Sequence, residues 1–249
     1  MGMTSSGHRK ELLVYDQEEA CAYLPDRIAR LPLRWPLGIV TRAEMDERWA
    51  AGDRRSGFYL YRPHCPSCSA CEALRIAVDR FRPSRTQQRI ERRGLRLLQV
   101  TLGDPHVDET RVRLFNEHRI QRGLGASHEW LDETAYKAFL VDTCCETFEI
   151  SYRVDGQLVA VAICDRGRLA LSAVYCYYDV AYSRLSPGVF SILTQIQLCR
   201  DWHMRYVYLG YYVAGSPHMS YKAQYRPHER LVSGSWRQES GERRAESRG

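Results

Sequence analysis

Hydrophobic positions recur along this chain with two periods, and the change between them falls near residue 146. Upstream the spacing is mostly helical. Met45, Arg48 and Trp49 mark a helix over 44–52 that Gly52 stops. Ser84 with Gln87 three residues on forms a capping box that opens another. Val112, Leu114 and Phe115 give the apolar side of a helix over 107–121, and Asp132 caps one reaching Phe139 and Leu140. Between these two helices, Gly123 and Gly125 open a loop around His128, Glu129 and Trp130. Short strands are expected at 12–15, 58–61 and 73–78.

Downstream the period becomes two. Residues 147–154 and 157–164 flank Asp155-Gly156, a strong hairpin signal, and a turn at 165–167 leads to a strand over 169–178. Pro187-Gly188 opens a helix to about Asp201 whose Val189, Ile192, Leu193, Ile196 and Leu198 pack inward, followed by a buried strand at 206–209. The mixture predicts an α+β fold. Residues 1–10 and the charged tail 238–249 are expected to be disordered.

With 249 residues the chain can bury a substantial core. Its net charge of +6 suits a polyanionic partner without requiring one. No apolar run approaches the roughly 20 residues of a membrane span, and the first residues lack an apolar signal region, so a cytoplasmic protein with no membrane partner is expected. The nine cysteines are then expected as reduced thiols, with those at 144, 145, 164, 176 and 199 in apolar surroundings as packing.

Residues 58–71 concentrate the chemistry. Cys65, Cys68 and Cys71, with His64 adjacent and Cys21 upstream, are candidate ligands for zinc or an iron–sulfur cluster; a dry turn of packed thiols is the alternative. Arg85, Arg89, Arg92 and Arg96 share one helical stripe, either a solvated face or a track for phosphates. Tyrosines cluster at 175–178, 208–212 and 221–225 beside Gly210, Lys222 and Arg226, describing a cleft floor or ordinary strand aromatics. No phosphate-binding glycine loop and no Gly-x-Ser-x-Gly elbow is present, which argues against nucleotide hydrolysis, serine hydrolysis and ordinary acetyl-CoA chemistry.

Several segments then resemble one family in order: Cys21-Ala22-Tyr23-Leu24-Pro25, Arg54-Arg55-Ser56-Gly57, Tyr61 to Cys71, Phe81-Arg82-Pro83-Ser84-Arg85, Leu171 to Tyr175, Tyr208-Leu209-Gly210-Tyr211 and Tyr221 to Pro227. Together they resemble the arginyl-tRNA–protein transferases, especially their bacterial aspartate/glutamate leucyltransferase branch. The resemblance implies a GNAT-like (acetyltransferase-like) fold with an N-terminal cysteine-containing subdomain, and the downstream order strand, strand, strand, helix, strand agrees with half of such a sheet. The expected division is 1–104 for the N-terminal transferase region, 105–237 for the GNAT-like region and 238–249 for the tail.

The implied activity is transfer of an amino acid, leucine or arginine, from aminoacyl-tRNA to the α-amine of a protein beginning with Asp or Glu, marking it for degradation. No cofactor is required, because the aminoacyl ester is already activated. On this reading Tyr175, Tyr208 and Tyr211 are the catalytic candidates, and Arg54, Arg55, Arg62 and His64 face the acceptor. Arg85, Arg89, Arg92, Lys222, Tyr225 and Arg226 face the tRNA. Two alternatives stay open: an aminoacyl-tRNA enzyme acting on a small-molecule amine such as an antibiotic precursor, and a non-catalytic module that binds RNA or peptide ends.

Overall fold

The computed structural model describes residues 10–124 and 129–239. The expected disorder of residues 1–9 and 240–249, and Gly125 and His128 of the expected loop, lie outside the described residues. The chain opens with β1 (Glu11–Tyr15), β2 (Glu18–Ala20), β3 (Ile28–Arg30), β4 (Leu33–Pro36) and α1 (Arg42–Ala50), then β5 (Arg54–Ser56) and β6 (Tyr59–Tyr61). Four of these strands form a sheet in the order β1-β4-β6-β5, and β2 pairs with β3. Thr41 caps α1 by accepting from the Glu44 N–H, and the helix buries Met45 and Trp49 completely.

The rest builds one large sheet and its cover. β7 (Glu72–Ala77), α2 (Arg85–Leu97), β8 (Gln99–Gly103), α3 (Glu109–Gln121) and α4 (Glu133–Tyr136) precede β9 (Thr147–Val154), β10 (Gln157–Arg166) and β11 (Ala170–Tyr178). α5 (Pro187–Asp201), β12 (Tyr206–Tyr212), α6 (Pro217–Ser220), β13 (His228–Val232) and β14 (Ser235–Glu239) follow. The sheet has eight strands in the order β14-β13-β7-β12-β11-β10-β9-β8. Its neighbours are antiparallel except β11 and β12, which α5 connects as a parallel crossover. The expected boundary at 104/105 falls inside the stretch that supplies this sheet, since β7 and β8 come before it.

Alternation along the strands sends successive residues to opposite layers. On one face Leu74, Ile76, Leu171, Val207 and Leu209 pack against Ile192, Leu193 and Ile196 of α5. α2 approaches α5 closely because residue 94 is glycine: a Cβ there would lie 2.3 Å from the Phe190 ring. On the other face Val161, Ile163 and Tyr177 meet Phe115, Tyr136 and Leu140, while Ala170 and Tyr208 meet Trp49 and Leu60. β10 is buried on both faces from Leu158 to Asp165, which explains why residues 158–164 read as a nearly continuous apolar run.

One feature departs from expectation, and a second bears on the site. Gln238 and Glu239 belong to β14 rather than to the tail, and Arg80 and Arg230 hold them at 2.5 Å each. The β13–β14 turn at Ser233-Gly234 has φ of 49° and 78°, the same left-handed pair as Asp155-Gly156, and it was the available signal for this hairpin. Second, β11 and β12 are in register over three pairs, ending at Ser172 opposite Tyr208. Beyond that β11 follows β10 to Tyr178, and β12 follows β7 to Tyr212 across a bulge at Leu209-Gly210, so the two strands part.

Candidate active site

A cleft of about 380 Å³ lies between the cysteine-rich turn and the end of β12. Arg62, His64, Cys65, Cys68 and Cys71 line one side, with Cys21, Tyr23 and Leu24 from the segment between β2 and β3. Gly52, Tyr211, Val213 and the β13–β14 turn close the other. Tyr211 is fixed there because its hydroxyl donates to the Gly52 carbonyl at 2.7 Å and its ring meets Tyr61 at 6.1 Å. The cysteine-rich turn thus forms one wall of the cleft.

All four candidate metal thiols reach this cleft. Burial, and then the neighbouring Cys65, Cys21 and Cys68, push the Cys71 thiol up to about 12, so it is neutral at physiological pH. Metal binding needs ligands that converge on one point with their free electron pairs aimed inward. Among the described residues no three His, Cys, Asp or Glu side chains do so. As arranged here, the four thiols do not fit a metal or cluster site.

The arginines divide sharply. Arg54 and Arg55 are consecutive in β5, opposite Tyr61 and Leu60 of β6, so their side chains leave opposite faces. Arg55 forms a bidentate pair with buried Asp165 at 2.8 and 2.9 Å and also donates to the Gly57 carbonyl. It is a structural pair rather than an open acceptor contact, which corrects the grouping of Arg55 with Arg54. Arg62 is half exposed at the cleft and bonds Asp53 at 3.0 Å. Asp53, which sequence reasoning passed over, is buried and also holds Arg34 at 2.7 Å and Arg48 at 3.6 Å. His64 is exposed on the same wall.

Arg54 is buried without a carboxylate partner among the described residues; its guanidinium donates to the carbonyls of Asp53 and Gly210, both at 3.2 Å. It lies over the rings of Tyr208 and Tyr211, 5.3 and 5.6 Å from their centroids. Lys222 is buried beside it and donates to the Tyr211 carbonyl at 2.6 Å and to Met219 Sδ at 3.1 Å. Burial first, and then Arg54, bring the Lys222 amine down to about 7. The structure thus unites Lys222, expected on the tRNA side, with Arg54, expected on the acceptor side. A signal was present: lysine occurs at 10, 137 and 222 only, in a chain with 36 basic residues.

The tyrosines are not equivalent. Tyr208 accepts from Arg75 at 3.2 Å and, with Tyr211, shares Arg54. Tyr175 instead packs with Phe115 and Phe139 under α3, where burial pushes it up to about 12. Burial raises Tyr208 and Tyr211 as well, so all three keep their protons at neutral pH. They are suited to shape a site and donate hydrogen bonds, not to act as bases.

Arg85, Arg89, Arg92 and Arg96 are exposed along α2, and among the described residues none pairs with a carboxylate. Arg226 is exposed and bonds the Ala223 carbonyl. Tyr225 is buried against Phe81, so it anchors its segment rather than presenting a ring to solvent.

Family models describing the N terminus and the C terminus of arginine-tRNA-protein transferase match residues 19–89 and 110–232. An aspartate/glutamate leucyltransferase from Chromobacterium violaceum is 36% identical over 220 residues, 87% of this chain and 89% of the relative. One from Polynucleobacter asymbioticus is 34% identical over 89% of this chain and 91% of the relative, and one from Hahella chejuensis 35% over 88% and 93%. Among solved structures, L-PGS from Bacillus licheniformis matches with TM-score 0.47 and 12% identity over 68% of this chain and 58% of that one, too slight a likeness to bear on the fold. Spanning both family models and nearly the full length of its curated relatives, this chain belongs to the arginine-tRNA-protein transferase family.

Proposed function

We propose that this enzyme transfers leucine from leucyl-tRNA to the α-amine of a polypeptide beginning with Asp or Glu, marking it for degradation. Family membership and the relatives' names support the reaction class and the acceptor. One observation carries the reading: Tyr211, which lines the thiol-lined cleft, stands three residues beyond Tyr208, where the pairing of β11 with β12 ends. A two-substrate transfer needs two approaches that meet at one point. The acceptor enters along Arg62 and His64, and the aminoacyl end enters the parting, as in a GNAT-like sheet. The tRNA lies along Arg85, Arg89, Arg92 and Arg226. Reading the fold this way assigns most of the cleft wall to residues 1–104 and most of the sheet to 105–237.

In the reaction the acceptor nitrogen bonds the ester carbonyl carbon, the carbonyl–ribose oxygen bond breaks, and the ribose hydroxyl leaves with a proton. The ester is already activated, so alignment supplies most of the acceleration. The acceptor amine, with an ordinary pKa near 8, reacts in its neutral form. Tyr208 and Tyr211, protonated and fixed, shape the floor on which the two ends meet. Use of aminoacyl-tRNA places the reaction in the cytoplasm.

Incubation with radiolabelled leucyl- and arginyl-tRNA and peptides beginning Asp, Glu or Ala tests this. Leucine on the acidic peptides alone is expected. Arginine transfer changes the donor, label on small amines only favours the small-molecule reading, and tRNA binding without transfer favours the non-catalytic module.

A further inference from the structure

β14 is the outer strand of the eight-stranded sheet, and among the described residues no strand pairs with its far side. Ser233 and Gly234 make a two-residue turn, so Val232 exchanges hydrogen bonds with Ser235, Arg230 with Arg237 and His228 with Glu239. The residues between, Trp236 and Gln238, therefore aim both N–H and C=O away from β13. An edge left open in this way is ready to take another strand.

The position of this edge ties it to the cleft. The cleft floor crosses the sheet from Tyr211 of β12 to its partner Ala73 of β7, and on to Leu231 of β13, whose partner on β14 is Trp236. Ser233 and Gly234 line the same cleft and lead straight into β14. A chain whose end lies on that floor, and which leaves over this turn, comes down beside β14 in the same direction as β14. Gly234 leaves room for it: a Cβ there would have no heavy atom within 4 Å apart from its own chain neighbours. The five residues of β14 offer about 17 Å of edge at roughly 3.3 Å each.

The side chains of β14 narrow the choice of occupant. Ser235, Arg237 and Gln238 are exposed and polar, while Trp236 is turned inward and donates from Nε1 to the Ala50 carbonyl. Such an edge grips main chain and tolerates varied side chains, which suits an enzyme whose acceptors share only their first residue. A second copy fits poorly. The antiparallel register that uses both Trp236 and Gln238 sets Arg237 directly opposite Arg237 of the second copy, and like charges so placed repel.

We propose that the acceptor polypeptide, beyond its first few residues, adds as a parallel strand to the outer edge of β14, held by the main chain of Trp236 and Gln238. The cleft takes the end of the chain, and β14 holds the segment that follows. This assignment rests on the proposed acceptor and deepens it.

Hydrogen exchange in the 15N-labelled full-length protein tests it without requiring transfer. An Asp-initiated peptide of about 14 residues is long enough to cross the floor and cover β14. At saturation it is expected to slow exchange of the Trp236 and Gln238 amides by about 10-fold or more, with less change at Ser235, Arg237 and Glu239, which are already bonded to β13. N-methylation of the peptide should weaken binding at alternate residues beyond the first few and leave it unchanged at those between. Gln238→Pro removes one outward N–H and spares the ladder to β13, so it should raise the acceptor KM by about 5-fold with the leucyl-tRNA KM unchanged. The proposal is overturned if a bound peptide leaves both amides as they were, or if N-methylation has no effect at any position beyond the first few. It is also overturned if the two amides are protected in the free protein and that protection grows with protein concentration or vanishes on removing residues 240–249. A peptide that does not bind at all removes the acceptor and the β14 site together. One that protects both amides yet receives no leucine supports the β14 site and sinks the proposed transfer instead.

Discussion

Arg54 and Arg55 are neighbours on one strand, equally hidden from water, and their surroundings differ in one respect. Arg55 has Asp165, which also accepts from Thr147 at 2.7 Å, and every element of that cluster is satisfied within the fold. Arg54 has carbonyls, aromatic rings and a second cation, Lys222. Burial alone therefore does not separate a structural charge from a functional one. On the proposed reading, the presence or absence of a direct ion pair does.

The largest expected effect breaks the Arg55 side. Arg55→Met leaves Asp165 buried without its partner and should cost about 3–5 kcal/mol in urea unfolding. A comparable loss in Arg54→Met would erase the contrast. Lys222 gives the next effect, with a sign. A folded Lys222 releases its proton near 7, whereas an unfolded lysine holds it to about 10.4. Between those values the unfolded chain binds more protons, so wild-type stability relative to Lys222→Met should rise with pH, by roughly a few kcal/mol from pH 7 to 10. Below pH 7 both states are protonated and the difference should be flat. Thermal melts of the two proteins across this range would show it.

Arg54→Met should cost less than about 2 kcal/mol, since it removes an unpaired buried charge along with two hydrogen bonds to carbonyls. Its transfer to acidic peptides should nevertheless collapse, measured beside the same unfolding curve. The smallest effect on stability belongs to α2. Replacing Arg85, Arg89 and Arg92 by Gln should leave unfolding within about 0.5 kcal/mol. It should weaken tRNA binding and lower the slope of log Kd against log salt by roughly 0.7–0.9 for each phosphate no longer neutralised.

Local chemistry made much of the fold legible. The Ser84–Gln87 capping box, the Asp155-Gly156 turn and the Pro187 start each carry their own signal, and α2, the β9–β10 hairpin and α5 follow them. The β5 and β8 strands did not declare themselves because their exposed or charged residues depend on sheet neighbours for order. The site was legible as a set of residues but not as a set of partnerships. Nothing near Arg55 in sequence announces Asp165, 110 residues on, and nothing near Arg54 announces Lys222. Tyr175 and Tyr208 read alike as strand tyrosines, yet the bulge in β11 after Ala173 and its departure from β12 place them in different clusters. Long-range pairing decides these cases, and pairing is what a single sequence does not display.

The central claim is tested most directly by one transfer assay. Purified wild-type protein is mixed with radiolabelled leucyl-tRNA and two peptides that differ only in beginning with Asp or Asn. The account predicts label on the α-amine of the Asp peptide and none on the Asn peptide. Equal labelling of both, or of neither while the tRNA is bound, would contradict it.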